Sequence, residues 1–363
     1  MTLHYYFARK FLWTFFGITM IFVVLLALVD LVDELQDFPD LPFLDVFEVV
    51  LLNLPHANYE ILPLVLILAS VALFVRLARS SELVVLRASG RSGLVGLLAP
   101  VIMAGIIGVV AVTMFNPIVA ASSKRYNDLV NGHMNMGQSV LAIASEGLWL
   151  RQGNAFGQTV IHATRASSDV TVIYDTTFIS FSPEGEPLRR ITARSARLGD
   201  SEWVLSSAKL WDLGTLRNPE AEARQMERLS VPSPLTRDRI VDSFGKPEYI
   251  SLWDLPEFIT QLEEAGFSAR RYAVWFQMEL ARPLFLMALV LVAAAFTMRH
   301  GCTSNTGVSV LTAIMLGFTL HYVRNFAQVL GENGQIPVIL AAWAPPIASF
   351  LLAAGLLLHT EEG

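Results

Sequence analysis

The sequence predicts an α-helical polytopic membrane protein: six transmembrane helices, three plus three, with an inserted antiparallel β-sandwich or jelly-roll-like domain on the outer side of the membrane. Three observations predict it. The chain is 53% hydrophobic and only 16% charged, with a mean hydropathy of +0.50, whereas soluble domains carry about 25% charged residues. Six apolar-rich runs reach the roughly 18 residues that a helix needs to cross a bilayer. Between the third and fourth runs the hydrophobic period changes from helical to alternating.

The first run, residues 11–29, is too long for a signal-peptide core and lacks a small-residue cleavage pattern, so it is an uncleaved span followed by acidic residues. The others lie near 47–76, 94–120, 272–298, 307–330 and 338–359. Asn53, His56, Asn58 and Glu60 interrupt the start of the second. Arg9 and Lys10 precede span one, Arg76, Arg79, Arg87 and Arg91 separate spans two and three, and Arg299 with His300 follows span four. The opposite loops, "DLVDELQDFPD" at 30–40 and "GENGQ" at 331–335, are acidic or neutral. Positive-inside bias then places both termini in the cytoplasm and the polar middle on the far side.

That middle contains "GLWLRQG", "QTVIHATRA", "VTVIYDTTFISFS", "RRITARSARL" and "SEWVLSSAKLWDL". Apolar and polar residues alternate there, with Val, Ile, Thr and aromatics prominent and Gly, Pro, Ser and Asp at the breaks, which indicates a sandwich or jelly-roll. Helical spacing returns at residues 251–265, where Ser251 is placed as N-cap and Asp254 as its capping-box acid. The expected organisation is therefore a first membrane half at 1–129, the outer domain at 130–265 and a second membrane half at 266–363.

The composition and motifs exclude several chemistries. A net charge of −6 provides no basic field for nucleic acid. The single cysteine, Cys302, permits no intrachain disulfide and no cysteine metal cluster. No phosphate-binding loop, H-E-x-x-H, G-x-S-x-G or G-x-G-x-x-G is present, so the chain is expected to bear no catalytic or metal site. Charges inside spans matter because each costs at least about 2.5 kcal/mol at the bilayer centre. Glu279 and Arg282, three apart, form an intrahelical pair or face a cavity. Lys124 and Arg125 snorkel to headgroups or meet an anionic lipid cargo, and Arg324, beside Asn325, poses the same choice. Ala104 with Gly108, and Ala313 with Gly317, offer small-residue helix contacts.

Residues 76–93, "RLARSSELVVLRASGRSG", form a short charged element between two spans. Ser80 or Ser81 would cap a helix at about 81–91, Glu82 would occupy its first turn and Gly90 would end it. Its leucines lie on the membrane interface, or its Glu82 and Arg87 face docks into a groove on a soluble partner.

The Ser-x-Glu-Leu-x-x-x-Arg-Ala-x-Gly pattern of this stretch resembles the coupling helix of the lipopolysaccharide export permeases, the LptF/LptG family. The middle strands resemble that family's β-jelly-roll. "GFTLHYVRNFAQVLGENGQIP" followed by "AAWAPP" is similar to its fifth and sixth spans. "LVDLVDEL" and the late Gly-Gln-Ile-Pro look more like the LptG than the LptF branch. The resemblance implies a permease subunit that extracts lipopolysaccharide from the bacterial inner membrane into a cavity entered laterally by spans one and five. It further implies a cytoplasmic LptB-like ATPase dimer, a homologous six-span LptF-like permease and a periplasmic LptC/LptA-like jelly-roll bridge. No cofactor would be bound by this chain; ATP and Mg would serve the ATPase. Glu82 matches the coupling acid, with Leu83, Leu86, Arg87 and Gly90 around it. Lys124, Arg125, Arg324 and Phe326 are the candidate cargo contacts, with Lys124 and Arg125 the better ones because Asp30, Asp33, Glu34 and Asp37 stand where family members often carry lysines. Two rivals remain: a permease for another lipid or lipoprotein, and an intramembrane enzyme or ion-coupled carrier using His56, Glu60 and Glu279.

Overall fold

The structure, a computed structural model, describes residues 2–39, 41–80, 82, 93–133, 141–144, 147–154, 157–167, 171–183, 185–199, 202–213, 220, 223–233, 235, 246–264, 267–298 and 306–362. Six helices are long and apolar enough to cross a membrane. They are α1 (Thr2–Asp37), α2 (Phe43–Arg79), α3 (Gly93–Val110, continued through a π-helical turn at Ala111–Phe115 into Asn116–His133), α5 (Arg270–Thr297), α6 (Thr306–Glu332) and α7 (Val338–Glu362), with the short α4 (Leu255–Glu264) before α5. Helices satisfy their own backbone, which lipid requires. The helices overrun the apolar runs: α1 extends through the acidic stretch to Asp37, and α2 begins at Phe43 and passes both Pro55 and Pro63 without a break.

The chain divides into two compact units: a helical one of residues 1–128, 248–253 and 270–363, and a β-rich one of 129–247 and 254–269. In the helical unit α5 is the central element. It packs on α2, α3, α6 and α7, and 72% of its most apolar stretch is buried. Leu66, Leu73, Phe74 and Leu77 of α2 meet Phe285, Leu286, Leu289 and Val290 of α5 in one core, joined by Phe7, Phe11 and Phe15 from α1. Those three phenylalanines, four apart, form one seam along α1. Elsewhere α1 is open, with only 6% of its most apolar stretch buried.

The π turn of α3 has a local cause. Pro117 lacks the N–H that would pair with the Thr113 carbonyl four residues back. That carbonyl accepts instead from the Trp253 indole at 3.2 Å, while Asn116 Oδ1 accepts the Leu252 N–H at 2.9 Å.

The β unit holds one antiparallel sheet in consecutive order: β1 (Leu141–Ala144), β2 (Gly147–Asn154), β3 (Gly157–Ala166), β4 (Val172–Phe181), β5 (Pro187–Leu198), β6 (Glu202–Asp212) and β7 (Arg224–Pro232). Alternate residues point to one buried layer, including Leu148, Leu150, Ile161, Ile173, Phe178, Ile191, Trp203 and Leu205. The register pairs pass over Asp175 and Ser207, which adopt left-handed φ values of 51° and 54°. Such irregularities increase local twist. The sheet rolls far enough for Ser233, just past β7, to donate to Gln152 of β2 at 2.6 Å.

The helix expected from residue 251 starts later. Ser251 Oγ accepts the Trp253 N–H at 3.3 Å in a turn, and α4 begins at Leu255, with the Asp254 carbonyl accepting the Phe258 N–H at 3.0 Å. Asp254 therefore stands at the start of α4, outside the capping box placed on Ser251.

Small residues set the helix contacts that the spacing suggests. A Cβ at Gly108 would lie 2.6 Å from the Pro283 Cα of α5, and one at Gly317 would meet the tip of Ile67 on α2, whereas Gly17 faces open space. Gly108→Ala therefore meets unyielding backbone and should cost about 1–3 kcal/mol. Gly17→Ala should be neutral or stabilising by up to about 1 kcal/mol. Melting midpoints of the two variants in one detergent check the contrast.

Candidate functional site

Glu82 lies just past the end of α2. Ser80 terminates that helix, its N–H reaching the Arg76 carbonyl at 3.0 Å, and Arg76 and Arg79 complement the negative helix end. Lys10 of α1 donates to Glu82 Oε1 at 2.6 Å, the Ser80 hydroxyl meets the same oxygen at 3.0 Å, and the Tyr6 hydroxyl donates to Oε2 at 3.1 Å. Burial opposes ionisation of this carboxyl. The hydrogen bonds from Lys10, Ser80 and Tyr6 and the charge of Lys10 outweigh it and hold the carboxyl below the ordinary carboxylate range. The Glu82 side chain is still 28% exposed. Leu83, Leu86, Arg87 and Gly90, the other candidate coupling residues, lie outside the described residues.

A second cluster occupies the interior of the bundle. On α5, Arg282 Nη2 donates to Glu279 Oε1 at 2.5 Å, so the intrahelical pair is present. The Tyr59 hydroxyl of α2 donates to the other Glu279 oxygen. Arg282 Nη1 donates to the Tyr59 carbonyl at 3.2 Å, and its guanidinium lies 4.0 Å from the centre of the Tyr59 ring. Arg324 of α6 is 6% exposed, lies over Phe285 at 5.5 Å and reaches the Met278 carbonyl at 3.4 Å. The Nε atoms of Arg282 and Arg324 are buried without a hydrogen-bond partner among the described residues. Beside this cluster, a groove of about 270 Å³ runs between α2 and α6, lined by Glu60, Leu64, Ile67, Gly317, His321 and Asn325.

The four candidate cargo contacts do not converge. Lys124 is exposed on α3. Arg125 pairs with Glu48 of α2 at 2.9 Å, both side chains being more than half exposed, in a bridge worth at most about 1 kcal/mol. Arg324 points into the bundle while Phe326, two residues on, is 64% exposed, as a helix's 3.6-residue period requires. The acidic stretch is partly engaged: Asp30 accepts from Asn53 at 3.1 Å, and Glu34, 7% exposed, accepts from Tyr126 at 2.7 Å. The carrier candidates occupy separate surroundings. His56 approaches Glu248 at 3.8 Å, Glu60 lines the groove, and Glu279 is neutralised by Arg282.

In the sequence Lys10 marks only the cytoplasmic end of span one, and Tyr6 and Tyr59 stand out by no motif. Lys10 and Tyr6, four apart on α1, share a face, which is the one local signal for the first site. Tyr59 carries no such signal, because its partner Glu279 is 220 residues away.

Six membrane-length helices, three on each side of an inserted β-domain, with Tyr59 of the first half bound to the buried Glu279 and Arg282 of the second, define a polytopic membrane protein. The chain belongs to the lipopolysaccharide export system permease LptF/LptG family, which it matches over residues 5–359. It is 26% identical over 314 residues to the lipopolysaccharide export system permease protein LptG of Escherichia coli strain K12, covering 85% of this chain and 84% of that protein. It is 23% identical over 328 residues to the protein of the same name from Haemophilus influenzae, covering 88% and 87%. Lipopolysaccharide export as a permease component, and not as an enzyme, is the activity the family assigns.

Removing one partner of a buried ion pair leaves an uncompensated charge and costs about 3–5 kcal/mol. Glu279→Leu should therefore destabilise the helical unit strongly, while Glu279→Leu with Arg282→Met should recover most of the loss. Thermal unfolding of the three proteins in detergent reads this out; equal loss in single and double variants would contradict the pairing.

Proposed function

We propose that this chain is the LptG-type subunit of an ATP-driven transporter that extracts lipopolysaccharide from the inner membrane and passes it to a periplasmic bridge. A homologous six-span permease completes the cavity, and a cytoplasmic ATPase dimer drives it with ATP and Mg, which this chain does not bind. The Lys and Arg content of the loops at 76–93 and 299–300, against the acidic residues at 30–40, supports cytoplasmic termini and a periplasmic β-domain. Similarity to two LptG proteins supports the choice of branch.

The single observation carrying the coupling role is the geometry of Glu82: a carboxylate held ionised at one end of the bundle, with part of its side chain open. A cationic side chain on the ATPase can add to that open face as a charge-assisted hydrogen bond. Nucleotide-driven closure would then act on α2 and α3 through the segment that joins them. Cargo acyl chains would meet apolar side chains within the cavity, and Lys124 is the exposed cation best suited to its phosphates.

Glu82→Ala and Glu82→Lys test the reading. Both should reduce copurification of the ATPase and ATP-dependent release of lipopolysaccharide from proteoliposomes, Lys more than Ala because it places like charges together, a change worth about tenfold or more. Unchanged association and release, with the spans still folded, would return this segment to an ordinary interfacial loop. A lipid profile of material bound to the purified complex separates lipopolysaccharide from other cargo.

A further inference from the structure

Among the described residues, α1 is tied to other helices and to Glu82 by side-chain polar contacts at its two ends and not between them. At one end Tyr6 and Lys10 grip Glu82; at the other Asp30 takes the amide of Asn53 and Glu34 takes the hydroxyl of Tyr126. Between these ends the exposed side chains are apolar: Met20, Ile21, Val24, Leu25 and Leu28 are each at least half exposed. The first tie is assembled on α1 itself, since Lys10 Nζ lies 4.4 Å from the centre of the Tyr6 ring. Its two donors take different oxygens of one carboxylate, so Glu82 is fixed in both position and orientation. The adjoining seam of Phe7, Phe11 and Phe15 is buried, which secures the same end of α1 to the bundle.

We propose that Lys10 and Tyr6 are positioning residues that yoke α1 to Glu82, so that force applied to the carboxylate moves span one together with spans two and three. This inference rests on the coupling role of Glu82. Of the carboxylate's roughly four lone-pair sites, Lys10 and Ser80 use those on Oε1 and Tyr6 one on Oε2, so a partner's cation can take the site left on Oε2 without displacing Lys10. Lys10 thereby keeps α1 attached while the ATPase pulls. Without the yoke, the ATPase still engages Glu82, but that end of α1 is held to the bundle by the seam of Phe7, Phe11 and Phe15 alone and slips against Glu82 during the stroke.

The test is the amount of lipopolysaccharide released per ATP hydrolysed, measured with the full complex in proteoliposomes alongside ATPase copurification. Lys10→Met should leave copurification in place and lower the ratio about fivefold, the upper end of what a partly exposed ion pair contributes. Tyr6→Phe should lower it less, and Lys10→Arg should retain it. A wild-type ratio for Lys10→Met overturns the proposal, as does loss of the ATPase from that variant, which would make Lys10 part of the docking surface. A fall in Lys10→Arg as large as in Lys10→Met also overturns it, since a retained cation should retain the yoke. Lys10→Gln, nearer in polarity, replaces Lys10→Met if the latter fails to fold, with the same outcomes read. Glu82→Ala run in parallel separates the two ideas: if it loses the ATPase while Lys10→Met releases normally, only the yoke fails, and if it keeps the ATPase, the coupling role fails first.

Discussion

Arg282 places a guanidinium where water cannot reach it, and the helical unit is arranged around neutralising that charge. Glu279 supplies the counter-charge from one turn back on the same helix, Tyr59 supplies a carbonyl, a ring face and a hydroxyl from α2, and Arg324 approaches the same stretch of α5 from α6. Desolvating an ion pair seldom adds net stability, but breaking one is expensive. The cluster therefore acts mainly to specify which helices face one another and in what register. Gly108 and Gly317 complete that specification by admitting Pro283 and Ile67 at distances that a side chain would forbid.

The two units answer to different solvents. In lipid every N–H and C=O must find a partner within the protein, and the spans meet this as helices. Where Pro117 removes one bond, the Trp253 indole replaces it and a π turn absorbs the offset. The sheet follows the other rule: one face buried and one face polar, with Arg190 and Lys209 lying over the exposed side of Trp211. Glu220 illustrates the setting, its hydrogen bonds from Lys209 and Trp211 keeping its carboxyl below the usual range.

What could be read from the sequence follows the range of the interaction. Apolar runs and alternation are local, so the six spans and the strand-rich middle were legible, as was the Glu279 and Arg282 pair at three-residue spacing. Helix ends were less so, because α1 and α2 continue through Asp30, Asn53 and Asn58 by giving each a hydrogen bond that composition does not reveal. Ser251 and Asp254 fit a capping box on paper, yet the chain spends those residues on a turn. Among the site residues Glu82 was visible, while its partners Tyr6 and Lys10, more than seventy positions away, were not. Arg324 and Phe326 were both candidate cargo contacts, and the helical period sends them to opposite surroundings.

The separation between Tyr59 and Glu279 also bears on the order in which the protein can be completed. Each strand of the sheet pairs with the strand just before it, so that domain needs nothing from the last three helices to form its ladder. The first three helices are in a different position. They emerge carrying the Tyr59 hydroxyl toward a centre that lacks its Glu279 partner until α5 is made, 220 residues later. Through that interval the nascent half-bundle holds a hydroxyl whose hydrogen-bond partner is still unsynthesised, and a membrane insertase or a second permease chain has that long to cover it.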